Sequence, residues 1–448
     1  MALSGQSAAK LLCKLGAFVT ATDKNPNVKL DFDPEALGVT CRFGETPDSF
    51  VGDFDLIIIS PGISVYAPFV QKANSLNIPV WSEAELASRL CPCPIIAITG
   101  TNGKTTVTTI VGEILKICKP NTQVAGNIGI PLTSLLSKLT PDDYLVAEIS
   151  SFQLETIQTF RPFISAILNI TPDHLDRHGS MEVYIEAKKR IYENQRQDEF
   201  VVLNYDNPVT KLLTPSARIV YFSQKEELAE GVFVKDEWIF ANLNGTAEMI
   251  APVKNIKVFT ENALAATALA LLSGAPVAAI RQVLENFEGI PHRLEHVAVV
   301  HDVAFCNDSK ATNVAAAIKA LESFDRPVVL IAGGYEKDAD YTELVRLFEE
   351  KTSYVVLLGR AGWNIRKVCE DVGFNRYESV IIYEKALELA VEIGYEKASP
   401  HQTVLLSPAC ASFDMYSSYE ERGDDFKKHV KNLSEYYRDK SYTYRKYM

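Results

Sequence analysis

The chain has 448 residues, room for about three domains at roughly 150 residues each. Hydrophobic residues make up 47% and charged residues 23%, enough apolar material for several cores, so a disordered chain is excluded. A net charge of −12 without a basic footprint argues against nucleic acid, and any anionic ligand must be held by local donors against that field.

The first residues, Met1-Ala-Leu-Ser-Gly5, do not combine a basic region with an apolar run, so no signal peptide is read. Ser7 to Leu15 predict a helix stopped at Gly16, and Ala17 to Thr22 a strand ending at Asp23. Leu56 to Ser60 form a short apolar strand closed by Pro61-Gly62. Val70 to Leu76 are helical and Pro79-Val80-Trp81 start another strand. Leu90-Cys-Pro-Cys-Pro94 reads as an exit linker, its close cysteine pair as a chance feature. The eight cysteines are otherwise scattered, which suits a reducing cytoplasm better than a disulfide framework. A second unit opens with the buried strand Ile95 to Ile98, then a polar loop, then a helix through Lys116. Tyr144 to Glu148, Ile164 to Asn169 and Phe200 to Leu203 are further strands, and Asn262 to Leu272 a helix. A third unit begins near Gly289, with strands at Val328 to Ile331, Val355 to Leu358 and Thr403 to Leu406. Apolar strands alternating with helices predict three consecutive α/β domains, 1–92, 93–289 and 290–448, with no membrane span. Asp439 to Met448 read as a frayed tail.

Polar loops at strand ends carry the chemistry. Gly100-Thr-Asn-Gly-Lys-Thr-Thr106, between a strand and a helix, reads as a phosphate-binding loop. Its glycines let N–H groups approach phosphate oxygens, the helix N-terminus and Lys104 add positive charge, and Thr105 can ligate Mg²⁺. Ile98 stands where the general loop pattern has its first glycine, so that pattern is not met. Glu148 ends the next strand, where it could reach the same cation or remain a solvated acid. Asn169-Ile-Thr-Pro-Asp-His-Leu-Asp-Arg-His178 gathers Asp173, His174, Asp176 and His178. His174/His178 and His292/His296 have zinc-helix spacing but lack further ligands nearby. A hard cation using Asp, His and phosphate oxygens fits better, and His178, His292 and His296 read as solvated or hydrogen-bonded. Asn307-Asp-Ser-Lys-Ala-Thr-Asn313, Gly333-Gly-Tyr-Glu-Lys337 and Ser407-Pro-Ala-Cys-Ala-Ser412 each read alone as a turn; together they suggest a small-ligand pocket.

With these motifs the chain resembles the Mur ligase family, the ATP-dependent amino-acid ligases of peptidoglycan assembly. Gly100 to Thr106 has the family's ATP-loop wording. Glu148-Ile-Ser-Ser-Phe-Gln-Leu-Glu155, Pro291-His-Arg293, Asn307 to Asn313 and Leu406 to Asp414 are similar to the branch that adds D-glutamate to UDP-N-acetylmuramoyl-L-alanine. The resemblance covers essentially the whole chain. It implies a Rossmann-like UDP-binding domain lacking its first strand, a central P-loop ATPase and a Rossmann-like C-terminal domain. It implies a monomeric cytoplasmic enzyme with small-molecule substrates, working through an acyl phosphate in peptidoglycan precursor synthesis. A sister ligase adding another amino acid, or an impaired nucleotide-binding relative, are the alternatives.

Residue by residue, the resemblance implies ATP contacts from Gly100, Thr101, Asn102, Gly103, Lys104, Thr105, Thr106, Asn262, Arg293 and Asp308. It implies two Mg²⁺ served by Thr105, Glu148, His174 and Lys188, the lysine carbamylated so that it becomes carboxylate-like. Lys104, Glu148, His174 and Lys188 are the implied catalytic set, with Lys189 beside the last leaving a one-residue ambiguity. Asp23, Ser60, Pro61, Gly62, Ile63, Asn127 and His174 match the UDP-substrate side; Thr312, Lys337, Ser412 and Tyr419 match the D-glutamate pocket, with Lys310 in the same loop. Two departures stand out. Of the asparagines that touch adenine in the family, only Asn262 remains. The family normally opens with a strand and a Gly-rich turn; here Ala2 to Ala9 already resemble the end of that turn and the first strand is absent, which is expected to weaken the first domain and UDP-substrate binding.

Overall fold

The computed structural model describes residues 1–448 except 128, 244, 336–338, 381–384 and 446–448, and leaves out the side chains of 176 and 438–445. Two compact units result, Met1–Glu288 and Gly289–Met448.

The first unit begins with a helix, Leu3–Lys14, so residues expected to end a turn are already helical. Its first four strands are short. β1 (Thr20–Asp23) pairs in parallel with β2 (Thr40–Phe43), and β3 (Ile57–Ile59) with β4 (Val80–Ser82), as two separate two-stranded sheets. The Glu83–Leu90 helix follows, started by Ser82, whose Oγ accepts from Glu85 N.

The larger sheet has nine strands in the order β13-β12-β11-β10-β9-β8-β5-β7-β6. β5 (Ile95–Thr99), β7 (Leu145–Glu148) and β8 (Ile164–Ile167) are buried throughout, as their unbroken apolar runs require of central parallel strands. β6 (Gln123–Gly126) flanks β7, and β9 (Phe200–Asn204) and β10 (Arg218–Ser223) extend the other side in parallel. β11 (Gly231–Lys235), β12 (Trp238–Asn242) and β13 (Ala247–Pro252) then add an edge in which the last two pairings are antiparallel. The chain leaves β5 toward β6 and β7 and later returns to β8 on its other flank. That makes the carboxyl end of β5 the switch point where α/β sheets bind ligands.

The second unit holds six strands in the order β14-β15-β19-β16-β17-β18. They are β14 (Glu295–Val300), β15 (Val303–Asn307), β16 (Val328–Gly333), β17 (Thr352–Leu358), β18 (Tyr377–Ser379) and β19 (Thr403–Leu406); only β14 runs antiparallel to its neighbour. In register, Asn307 and Ile331 both lie opposite Leu406, so the loops after β15, β16 and β19 leave the sheet at one level. The C-terminal stretch corrects the expectation of a frayed tail as far as Arg445, since the last helix runs from Tyr419 to Arg445, while 446–448 lie outside the described residues. Its apolar face is anchored by the fully buried Phe426 and Val430.

Candidate active site

In the first unit the site grows from the end of β5. Gly103 has φ +85, and a Cβ there would run into Asn262 Oδ1. The loop therefore needs glycine, and Asn262, at the start of the Thr260–Leu272 helix, packs on the loop itself. Asn169 braces the other side. Its Oδ1 accepts from Asn102 N at 2.8 Å and its Nδ2 donates to Asn102 O at 3.2 Å. Thr101 is tied by its hydroxyl to Thr171 O at 3.1 Å and to the Tyr184 hydroxyl at 3.2 Å. The Lys104–Cys118 helix opens at Gly103 without a side-chain cap, so its positive dipole end lies at the loop, and Thr105 is buried in that first turn.

Two lysines converge on one carbonyl. Lys104 Nζ donates to Gly100 O at 2.9 Å and to Thr101 O at 2.8 Å; Lys188 Nζ donates to the same Gly100 O at 2.8 Å. Lys188 is 1% exposed and lies over the Tyr184 ring. Burial first, and then the Lys104 charge, pushes its amine well below the usual lysine range. Lys189, by contrast, points outward and pairs with Glu186 at 2.7 Å.

Glu148 stands across the register from Ile98 and Gly126. Gly126 is at φ +105 and a Cβ would strike Glu148 O, which fixes how closely Asn127 can follow. Asn127 N donates to Glu148 O at 2.8 Å and Asn127 Nδ2 to Glu148 Oε1 at 2.9 Å. The other carboxylate oxygen, Oε2, is buried without a hydrogen-bond partner. A buried acceptor of this kind demands a cation or donor. Among the described residues no three His, Cys, Asp or Glu side chains cluster as a metal site. The unpartnered Glu148 Oε2 is the kind of ligand Mg²⁺ takes, since that ion uses one or two carboxylates and fills the rest of its shell with phosphate oxygens and water.

His174 caps the short Leu175–His178 helix in the left-handed region at φ 55, with its ring edge-on to Phe152. His178 is buried and hydrogen-bonded rather than solvated: Nε2 meets Ser151 Oγ at 3.0 Å and the ring stacks on Phe152. Arg177, not singled out from the sequence, joins this helix to the turn after β3. It donates to Pro61 O at 2.6 Å and Ile63 O at 2.9 Å while lying 3.9 Å over Phe152. Ser60 and Ile63 close that turn through Ile63 N to Ser60 O at 2.9 Å, leaving Gly62 at its tip. Asp23 ends β1, where it accepts from Asn25 N at 2.9 Å and pairs with the Met1 ammonium.

The second unit has its own polar cluster. Asp308 is buried, accepting from Ser407 Oγ at 2.9 Å and Leu294 N at 3.3 Å. Desolvation pushes its carboxyl up to about 7, only partly offset by the nearby Arg293 and these hydrogen bonds. A carboxyl raised in the folded state stays protonated there between pH ~4 and ~7, while the unfolded chain releases its proton. Stability from this group is full below that window and falls through it by on the order of 4 kcal/mol. Asp308→Asn, which mimics the protonated form, is therefore expected to gain on the wild type as pH rises from 4 to 7. Chemical denaturation at several pH values checks this, and parallel stability curves for the two proteins would contradict it.

Arg422, also missed in the sequence, is 1% exposed and binds the loops together. Its guanidinium donates to Ser309 O at 2.8 Å, Ser309 Oγ at 2.9 Å, Ala411 O at 3.1 Å and Cys410 O at 3.2 Å. Ser309 Oγ in turn donates to Tyr419 O at 2.8 Å. Lys310 Nζ lies over the Tyr419 ring, and His292 meets that ring edge-on. Ser412 is buried beside this junction and Thr312 half-buried in the Asp308 loop, whereas Lys337 lies outside the described residues. His296 sits exposed on β14.

Comparison with known proteins gives a consistent picture. Residues 1–82 match the family profile described as Mur ligase MurD-like, N-terminal domain; 98–270 match Mur ligase middle domain; 292–410 match Mur ligase, glutamate ligase domain. A UDP-N-acetylmuramoylalanine–D-glutamate ligase of Thermoanaerobacter sp. (strain X514) is 44% identical over 442 residues, 97% of each chain. The enzyme of the same name from Pelotomaculum thermopropionicum is 44% identical over 440 residues, 96% of each chain. Among solved structures, a pseudomurein peptide ligase type C from Methanothermus fervidus superposes with a TM-score of 0.59 at 18% identity, covering 95% of this chain and 97% of its own. UDP-N-acetylmuramate–alanine ligase from Thermotoga maritima gives 0.58 at 18% identity, covering 96% and 98%. These structural likenesses carry the α/β fold.

Proposed function

The chain belongs to the Mur ligase family, and from that membership we infer that it joins D-glutamate to UDP-N-acetylmuramoyl-L-alanine at the expense of ATP. The near-full-length identity to D-glutamate ligases carries this reading. The substrate carboxylate attacks the γ-phosphate of ATP, and ADP leaves. The D-glutamate amine then attacks the acyl phosphate carbonyl, and phosphate leaves.

A carboxylate attacking a triphosphate brings like charges together, so the site must supply positive charge and dipoles. The open N-terminus of the Lys104–Cys118 helix and Lys104 supply them for the phosphates. Mg²⁺, held by Glu148 Oε2 and the Thr105 hydroxyl with His174 and a carbamylated Lys188 nearby, would neutralise phosphate charge when bound. The fit rests on the unpartnered Glu148 oxygen and on Lys188, whose burial favours the uncharged amine over the ammonium, the form that reacts with CO₂. We assign the UDP-sugar to Asp23, the Ser60–Ile63 turn, Asn127 and His174, and D-glutamate to Thr312, Lys337, Ser412 and Tyr419. We read the enzyme as cytoplasmic and monomeric; light scattering of the purified protein checks the second point.

Arg177 positions the Ser60–Ile63 turn through two charge-assisted bonds, each worth about 1.5–3 kcal/mol. Arg177→Ala is expected to raise KM for the UDP-sugar by ~10-fold or more, with KM for ATP little changed. Equal increases in both would show a general structural defect instead.

The deciding experiment is phosphate release on mixing ATP, UDP-N-acetylmuramoyl-L-alanine and either enantiomer of glutamate. D-glutamate is expected to support turnover and L-glutamate not. Separate loops fix the two carboxylates, and the wrong enantiomer can place its carboxylates or its amine but not both. Comparable rates with L-glutamate, L-lysine or meso-diaminopimelate would refute the assignment.

A further inference from the structure

Cys91 and Cys93 flank Pro92 in the connector between the Glu83–Leu90 helix and β5. Their Sγ atoms lie 3.6 Å apart, and the Cys91 thiol also touches Cys93 O at 3.4 Å. The arrangement follows from the sequence. In an extended segment residues i and i+2 share a face, and a following proline biases its predecessor toward extended backbone. Cys91 has φ −70 and ψ 123. Both thiols are free, and they differ in access: Cys93 is buried against the core beneath β5, whereas Cys91 is half-buried.

We propose that this pair is a modification site at which a hydroperoxide oxidises Cys91 and Cys93 closes on it as an intrachain disulfide. The Cys91 thiolate attacks one peroxide oxygen. The O–O bond breaks, and the departing oxygen leaves as water or alcohol with a proton. Cys91 becomes a sulfenic acid, oxidised by two electrons as the peroxide is reduced by two. The Cys93 sulfur then attacks the Cys91 sulfur. The S–O bond breaks, and hydroxide leaves as water with the Cys93 proton. The sulfurs must approach from 3.6 Å to about 2.05 Å, a shift within the reach of side-chain rotation.

The roles are not interchangeable. The thiol–thiol contact holds Cys91 below the ordinary thiol range, while the same contact, with burial behind it, pushes Cys93 up. Cys91, the more accessible of the two, is the attacking thiol, and the buried Cys93 is the resolving one. A ring closed over a single intervening residue is strained, so the disulfide is the readily reduced, reversible kind.

The test treats the full-length protein with hydrogen peroxide, alkylates remaining thiols under denaturing conditions and maps the peptides by mass spectrometry. The solvent-exposed Cys41 and Cys118 serve as internal dose markers. The peptide spanning 91–93 is expected to lose two hydrogens and escape alkylation at doses that leave Cys41 and Cys118 largely alkylated. Dithiothreitol should reverse the change. In Cys93→Ser, Cys91 should accumulate as a sulfenic acid captured by dimedone; in Cys91→Ser, Cys93 should remain an alkylatable thiol. Full alkylation of both cysteines at doses that oxidise Cys41 and Cys118, or disulfides found only between chains, would overturn the proposal. So would dimedone capture at Cys93 in Cys91→Ser.

Discussion

Lys188→Ala is expected to lower turnover by ~10²-fold or more, and acetate or formate should restore part of it. The lysine lies 2.8 Å from Gly100 O, buried beside the loop and the Glu148 strand end. An ammonium there would repel Mg²⁺ and add to the charge of Lys104. A carbamate reverses that sign, and a small carboxylate diffusing into the space left by alanine could replace it. The fold should survive, because Gly100 O keeps its bond from Lys104 at 2.9 Å. Circular dichroism checks that point. ¹³C-bicarbonate labelling read by NMR gives a signal independent of activity, present in the wild type and absent in the variant. Lys189→Ala is the control, since Lys189 pairs only with the exposed Glu186 in a surface contact worth little. Normal turnover in Lys188→Ala with loss in Lys189→Ala would reverse the assignment.

That choice shows how far the sequence could be read. By motif alone, Lys188 and Lys189 stand side by side. The helix pattern separates them: Tyr184, Ala187, Lys188 and Ile191 form the buried stripe, and Lys189 falls off it. A lysine on an apolar stripe is a signal, because burial there must change its charge state. The all-apolar strands were legible for the same reason, and with them the loops at their carboxyl ends. β11 and β12 were not. They are joined by Asp236-Glu237, both in the left-handed region at φ 47 and 62, a turn usually marked by Asn-Gly. The β14–β15 hairpin turns the same way through His301-Asp302, at φ 44 and 66. Arg177 and Arg422 escaped because most of their partners are backbone carbonyls, Pro61 O and Ile63 O for the first and Ser309 O, Cys410 O and Ala411 O for the second. Carbonyls have no residue signature, so only the folded arrangement shows what those guanidinium groups hold. The residue pattern alone gives Asp308 as a polar residue in a turn and the resemblance gives it as an ATP contact, but its raised pKa depends on the burial that only the folded sheet provides.

Lys104→Ala is expected to abolish measurable phosphate release, by ~10²-fold at the least, while the protein stays folded. The structural cost is small. Lys104 is half-buried at the first helical position, and its Nζ serves Gly100 O and Thr101 O. Gly100 O keeps Lys188, and Thr101 O loses its donor from Lys104, a loss of about 1 kcal/mol against a margin of about 5–15. The chemical cost is large. A chain of net charge −12 must bring in a triphosphate and then a carboxylate, and local cations have to overcome that field. The helix N-terminus offers only about half a unit charge. Lys104 offers a full one on a flexible stem that can move from the loop carbonyls to the phosphates. Lys188 cannot take its place, since as a carbamate it is negative and as a free amine burial disfavours its charged form. Arginine at 104 should recover little, because the stem and donor geometry differ. Phosphate release at the wild-type rate from folded Lys104→Ala protein would mean that another group neutralises the triphosphate, and the assignment of this loop would fail.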